Sequence, residues 1–164
     1  MSESVCRWAT GFLVVLLLGP GRTYGAGKPV PPDLTAGGSP DKSHDWTLGP
    51  TGARGWIWGW QGHTTDARQI LITEVAASSP ADGTLVKDDV LVGVDGKEFD
   101  SDARLALARA IARAESPVGG GVLRLIRWRT GKREAVRLKL PVLGAYAATA
   151  PFACPKSKRI FEQG

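Results

Sequence analysis

Ser78-Ser79-Pro80-Ala81-Asp82-Gly83-Thr84-Leu85-Val86-Lys87-Asp88-Asp89-Val90-Leu91-Val92-Gly93-Val94-Asp95-Gly96-Lys97 is the stretch that decides the fold. It reads as a turn, a short helical loop, a buried strand and a second tight turn. Pro80 and Gly83 supply the first turn, one by fixing φ and the other by permitting positive φ. Leu85 is expected to plug the core. Val90, Val92 and Val94 share one face of the strand, and Asp95-Gly96 is a strong tight-turn pair.

Working upstream, Gln69-Ile70-Leu71-Ile72-Thr73-Glu74-Val75 is a β-branched run that predicts a buried strand. Trp56-Ile57-Trp58-Gly59-Trp60 alternates like a strand, with three indoles on one face and Ile57 on the other. Downstream, Asp100 or Ser101 can cap a helix running from about Asp102 to Glu115. Leu107, Ala110, Ile111 and Ala114 fall at helical spacing and predict its core face, with Arg104, Arg109 and Arg113 directed elsewhere. Pro117 and Gly119-Gly120-Gly121 end it. Val122 to Arg129 and Arg133 to Leu140 predict a hairpin around Thr130-Gly131. Its alternation breaks at Arg127-Trp128, where a bulge would re-aim Trp128 inward. Pro141 stops the ladder.

The order strand, strand, strand, helix, hairpin over 46–142 resembles a PDZ domain of the bacterial, protease-associated type. Ser79-Pro80-Ala81, Gly83, Leu85, Asp89, Val90-Leu91 and Val94-Asp95-Gly96 carry that resemblance most strongly. It implies an α+β fold, a small, partly open antiparallel barrel or sandwich capped by one main helix. It also implies a ligand: an extended peptide or protein C-terminus, added as a strand between residues 56–60 and the helix at 102–115. The expected peptide-binding residues are Gly52, Ala53, Arg54, Gly55, Trp56, Ile57 and Trp58, with Arg104 and Leu107 on the helix. In the loop Gly52-Ala53-Arg54-Gly55, backbone N–H groups would converge on a carboxylate and Arg54 would add a bidentate contact.

Two positions depart from the family pattern. Ile57 stands where a second loop glycine is usual, and Asp88 replaces a glycine, although Asp tolerates a left-handed backbone better than most residues. The bulky tryptophans could fill the groove. They could instead form an aromatic platform for sugar or peptide rings, but core packing is the default for side chains of this size.

The rest of the chain frames this domain. Residues 1–25 read as a secretory signal: Arg7, the apolar run Ala9 to Leu18, the breaker Gly19-Pro20-Gly21, and small residues allowing cleavage after Gly25. That run is ~10 residues, whereas a spanning helix needs ~20, so no stable membrane span is expected after cleavage. Export places the protein in the periplasm or outside the cell. Residues 26–45, with Lys28-Pro29-Val30-Pro31-Pro32 and Gly37-Gly38-Ser39-Pro40, read as a linker. Residues 143–164 read as a connector, through which a downstream domain or partner could attach. Cys6 leaves with the signal, and Cys154 alone cannot form an internal disulfide.

Of 164 residues, 43% are hydrophobic and 23% charged, which suits one globular domain with tails. The net charge of +5 is not gathered in one run. The basic hairpin, with Arg124, Arg127, Arg129, Lys132, Arg133, Arg137 and Lys139, spreads its charge over both faces, so no nucleic-acid stripe is expected. His44 and His63 match no metal-site spacing, and no cofactor is implied. Ser78, Ser79 and Ser101 lack an activating histidine, and Cys154 has no matched base. The expectation is a non-catalytic, exported binding module. The alternative is the N-terminal docking or regulatory region of a larger exported enzyme, since the stretch from Asp45 to Lys158 also resembles the PDZ-bearing front of large secreted bacterial proteins of unknown function. A third option is a spacer whose groove is plugged by its tryptophans or by residues 144–155.

Overall fold

The structure, a computed structural model, describes residues 27–41, 45–146 and 154–163. The expected signal segment and His44 lie outside the described residues. The described chain is a small α+β domain with an antiparallel sheet of seven strands that does not close, and two α-helices. The strands are β1 (Asp45–Thr47), β2 (Ala53–Ile57), β3 (Ile70–Val75), β4 (Val90–Val94), β5 (Lys97–Glu98), β6 (Val122–Arg129) and β7 (Lys132–Lys139). The helices are α1 (Ala103–Ala114) and α2 (Pro155–Gln163). The sheet runs β1-β2-β3-β4-β6-β7, with β5 paired to β4 at the side.

Turn chemistry sets this order. Asp95 and Gly96 have φ of 50° and 79°, and Thr130 and Gly131 have 45° and 83°. Both pairs make two-residue turns whose twist matches their flanking strands. Asp88 takes φ 72°, a left-handed backbone that Asp tolerates better than most residues. The bulge differs from expectation: β6 and β7 pair without a break from Val122↔Lys139 to Arg129↔Lys132. The register shift lies in β4, between Leu91 and Gly93. There β4 must also accommodate β5, and a Cβ on Gly93 would come 2.2 Å from the Lys97 carbonyl oxygen. β3 meets β4 at only two paired positions, Ile70↔Leu91 and Leu71↔Val90. Ile72 N–H to Asp89 O at 2.8 Å and Asp88 N–H to Ile72 O at 2.9 Å extend the join.

The helix starts one residue later than expected, and its N-cap is Asp102 and not Asp100 or Ser101: Asp102 Oδ1 accepts from Leu105 N–H at 3.1 Å, whereas Ser101 Oγ is spent on Asp100. Ala103, Leu107, Ala110 and Ala114 are buried, and α1 packs on β4 and β6. Beneath it lie Ile57, Ile70, Ile72, Leu85, Leu91, Leu123, Leu125 and Leu138. Each such side chain contributes about 1.5–3 kcal/mol on burial. Asp89, fully buried, is gripped by Arg129 through Nε–Oδ1 at 2.5 Å and Nη2–Oδ2 at 2.7 Å. The bidentate pair keeps the carboxylate's burial from being prohibitive. It also holds the Arg129 guanidinium above its ordinary pKa, chiefly through the hydrogen bond to Asp89.

Three segments differ from the sequence reading. The groove strand is Ala53–Ile57 and not 56–60, because the chain leaves the sheet to form a tight turn between Trp60 and His63. In the Pro/Gly-rich stretch, Leu34 N–H donates to Gln69 Oε1 at 2.7 Å, and Gln69 Nε2 donates to Asp33 Oδ1 at 2.8 Å. That stretch docks on the body of the domain, and β1 already begins at Asp45. In the tail, Leu143 N–H bonds to Glu115 O at 2.9 Å, and α2 follows with the buried Lys156 paired to Glu115.

Candidate binding groove

β1 and β2 form a tight hairpin. The turn at Gly49–Thr51 ends on Gly52, whose φ is +73° and whose Cβ, if it had one, would lie 2.1 Å from Ser79 Cβ. Glycine is therefore required there by both backbone and space. Thr51 O accepts from Ala81 N–H and Gly52 O from Ala76 N–H, each at 2.9 Å, so the loop sits on the Ser78–Ala81 turn. Asp45 pairs opposite Trp56, Trp46 opposite Gly55, and Thr47 opposite Arg54.

This pairing changes the expected site. The edge of β2 that was expected to receive a peptide carries β1. The loop groups are spent within the chain: Ala53 N–H donates to Thr51 Oγ1 at 3.1 Å, and Ala53 O accepts from Leu48 N–H at 2.9 Å. Arg54 Nε donates to Asp45 Oδ2 at 2.8 Å. Asp45 also accepts from Thr73 Oγ1 at 2.6 Å. Thr73 is the extra residue where the β2–β3 register shifts, which turns its side chain toward β1. The Thr73 hydrogen bond first, and Arg54 after it, hold the Asp45 carboxyl below its ordinary pKa. Gly55 is buried, with Ile70 Cγ2 2.7 Å from where its Cβ would be.

A groove of about 420 Å³ lies between this hairpin and α1. Ile57 and Leu107, both buried, form its apolar floor, half-buried Ile111 adds apolar surface, and Trp46 and Arg104 form one wall. The Arg104 guanidinium lies 3.9 Å from the Trp46 ring centroid, a close cation–π contact. Lys156, Glu115 and Tyr146 also line it. Burial lowers the Lys156 pKa, but hydrogen bonds to Glu115 and Tyr146 outweigh it and leave the ammonium above its ordinary value.

Of the residues singled out in the sequence, Ile57, Arg104 and Leu107 therefore meet in this groove. Gly52, Ala53, Arg54 and Gly55 build the adjoining hairpin. Trp56 and Trp58 line a different cleft with Pro31, Pro32 and Leu34, and Trp56 Nε1 donates to Asp41 Oδ1 at 3.1 Å. Trp46, Ile111 and Lys156 were not among the expected site residues. Ile111 was visible as part of the helix's apolar face. Lys156 gave no local signal, since its partner lies 41 positions away. Among the described residues no group of three His, Cys, Asp or Glu could hold a metal ion. None of their helices is long and apolar enough to cross a membrane. No protein-family model matches the chain, and no curated protein matches it.

Proposed function

We propose that this chain is an exported, non-catalytic peptide- or protein-binding module of PDZ-like architecture. The ligand is an extended segment lying in the groove between β1 and α1. The observation supporting this most is that β1, the terminal strand of the sheet, faces α1 across a groove that combines apolar surface with the cationic Arg104. A strand at the end of a sheet can take a further strand along its edge, and side-chain pockets beside it supply selectivity. The ligand thus adds to β1 and not directly to β2. Arg104 favours a peptide carrying a carboxylate, either at its end or on a side chain.

Titration of the full chain with free C-terminal and internal peptides, followed by tryptophan fluorescence, tests this reading. Saturable binding that weakens at least about tenfold in Ile111→Glu, a change that puts charge into the apolar groove, is the expected result. A folded chain that binds no peptide overturns it.

A second reading, a docking front end for a larger exported enzyme, draws support from α2. Phe161 is 86% exposed and Ile160 49% exposed on that helix, a pairing that suits a further packing partner.

A further inference from the structure

The tryptophans of Trp56–Trp60 take no part in the groove, yet two of them meet a cation. The Lys28 ammonium lies 6.0 Å from the Trp58 ring centroid and 5.9 Å from that of Trp60. It also forms an ion pair with Asp66. Two indole faces and one carboxylate around an alkylammonium make a cation cage: the ring quadrupoles attract the charge, and the carboxylate balances it.

The walls of this cage are held independently of its occupant. Trp60 N–H donates to His63 O at 2.9 Å, and His63 N–H to Trp60 O at 3.0 Å. Gln61 and Gly62 between them have φ of 50° and 81°, so the turn that carries Trp60 is tight and defined. Thr64 Oγ1 donates to Asp102 Oδ2 at 2.8 Å, which ties the turn to the start of α1. Arg68, on the adjoining cleft, is directed to the carbonyls of Thr65 and Ala67 at 2.8 and 3.0 Å. Lys28 is anchored less firmly. Its ion pair is solvent-exposed, at 45% for its side chain and 38% for that of Asp66. The fixed contacts of its segment are further along, where Leu34 and Asp33 meet Gln69. The ammonium can therefore be withdrawn without loosening the sheet.

We infer that Trp58, Trp60 and Asp66 form a binding site for an alkylammonium group, which Lys28 fills in cis and which the same group on another molecule can enter. The chemistry of the walls selects the class. Asp66 repels anions, and a neutral ligand gains nothing from its charge. A protein lysine and a free quaternary ammonium compound share the required chemistry.

The test uses the full chain carrying Lys28→Ala, a change at an exposed position that leaves the core intact. The indole N–H resonances of Trp58 and Trp60 are followed by NMR. The probes are tetramethylammonium and Nα-acetyl-lysine methyl amide, with 3,3-dimethylbutanol and Nα-acetyl-norleucine methyl amide as neutral counterparts. Saturable shifts of both indoles with the cations, lost when Asp66→Asn is added, are the expected result. The wild-type chain is expected to bind the same cations about tenfold more weakly, because a tethered lysine competes at an effective concentration in the millimolar range. Tighter binding of the lysine amide assigns the site to protein lysines, and tighter binding of tetramethylammonium assigns it to free quaternary ammonium compounds. Equal responses to the neutral counterparts, or no response to either cation from a folded Lys28→Ala chain, overturn the inference. Neither result depends on whether peptides bind beside α1.

Discussion

The two ends of the sheet are held by different means. At one end, β6 and β7 pair over eight consecutive positions. Arg129 of that hairpin reaches the fully buried Asp89, 40 positions away, and fastens the hairpin to the core. At the other end, β1 has three residues, and its ion pair between Asp45 and Arg54 is 42% and 41% exposed. A desolvated carboxylate is costly to strip of its partner, whereas an exposed pair is screened by water and contributes little. Opening β1 locally should therefore need far less free energy than unfolding the domain. Since β1 borders the groove, the softer end is also the proposed binding end.

Arg129→Ala strikes the firmly held end directly. It leaves Asp89 buried without its counter-charge and is expected to cost about 3 kcal/mol of global stability. The urea midpoint should fall with an unchanged slope. A loss below about 1 kcal/mol, the range of an exposed pair, would remove the distinction between the two ends.

Lys156→Met comes next. It takes the cation from Glu115 and is expected to cost about 2 kcal/mol, the scale of a hydrogen bond between charged groups. The change should release α2, seen as faster proteolytic cleavage after Arg159, while β6 and β7 keep their amide-exchange protection.

The smallest effect is expected from Asp45→Asn, about 1 kcal/mol or less. Amide exchange in β1 should speed up with little change in global unfolding. Acid should act through the same group. The folded-state pKa of Asp45 is depressed, so its contribution is complete above the ordinary value of 3.8 and is lost as pH falls through the lower folded value. The Trp46 indole resonance should move over that acid range in the wild type and stay flat in Asp45→Asn. Movement in both would assign the transition to another group.

The features legible in the sequence were those encoded within a few residues. Asp95-Gly96 and Thr130-Gly131 announced their turns, and the spacing of Leu107, Ala110 and Ala114 marked α1, although its cap is Asp102 and not the neighbouring Asp100 or Ser101. Asp88, which stands where a glycine would be usual, takes a left-handed backbone that its side chain tolerates. Contacts between distant residues left no local trace. Nothing near Asp89 names Arg129, and nothing near Glu115 names Lys156. Lys28-Pro29-Val30-Pro31-Pro32 reads as a linker because proline builds no regular structure of its own, but Lys28 meets the rings of Trp58 and Trp60, and Pro31 and Pro32 line a cleft with Trp56 and Trp58. The groove was foreseen in its helix wall and in Ile57. Its other wall was not, since Asp45-Trp46-Thr47 is too short to announce that it would pair with β2.

The brief join between β3 and β4 has a mechanical consequence. The segment around Leu34 is fastened to Gln69 beside β3, whereas α2 is fastened to Glu115 at the end of α1, which packs on β4 and β6. Tension applied through these two segments pulls on different plates of the sheet. It is carried across the weld at Ile70–Ile72 and Asp88–Leu91, and by a second fastening where Ala67 O and Thr64 meet the start of α1. Under load the sheet should begin to part along that line, where its backbone pairing is shortest.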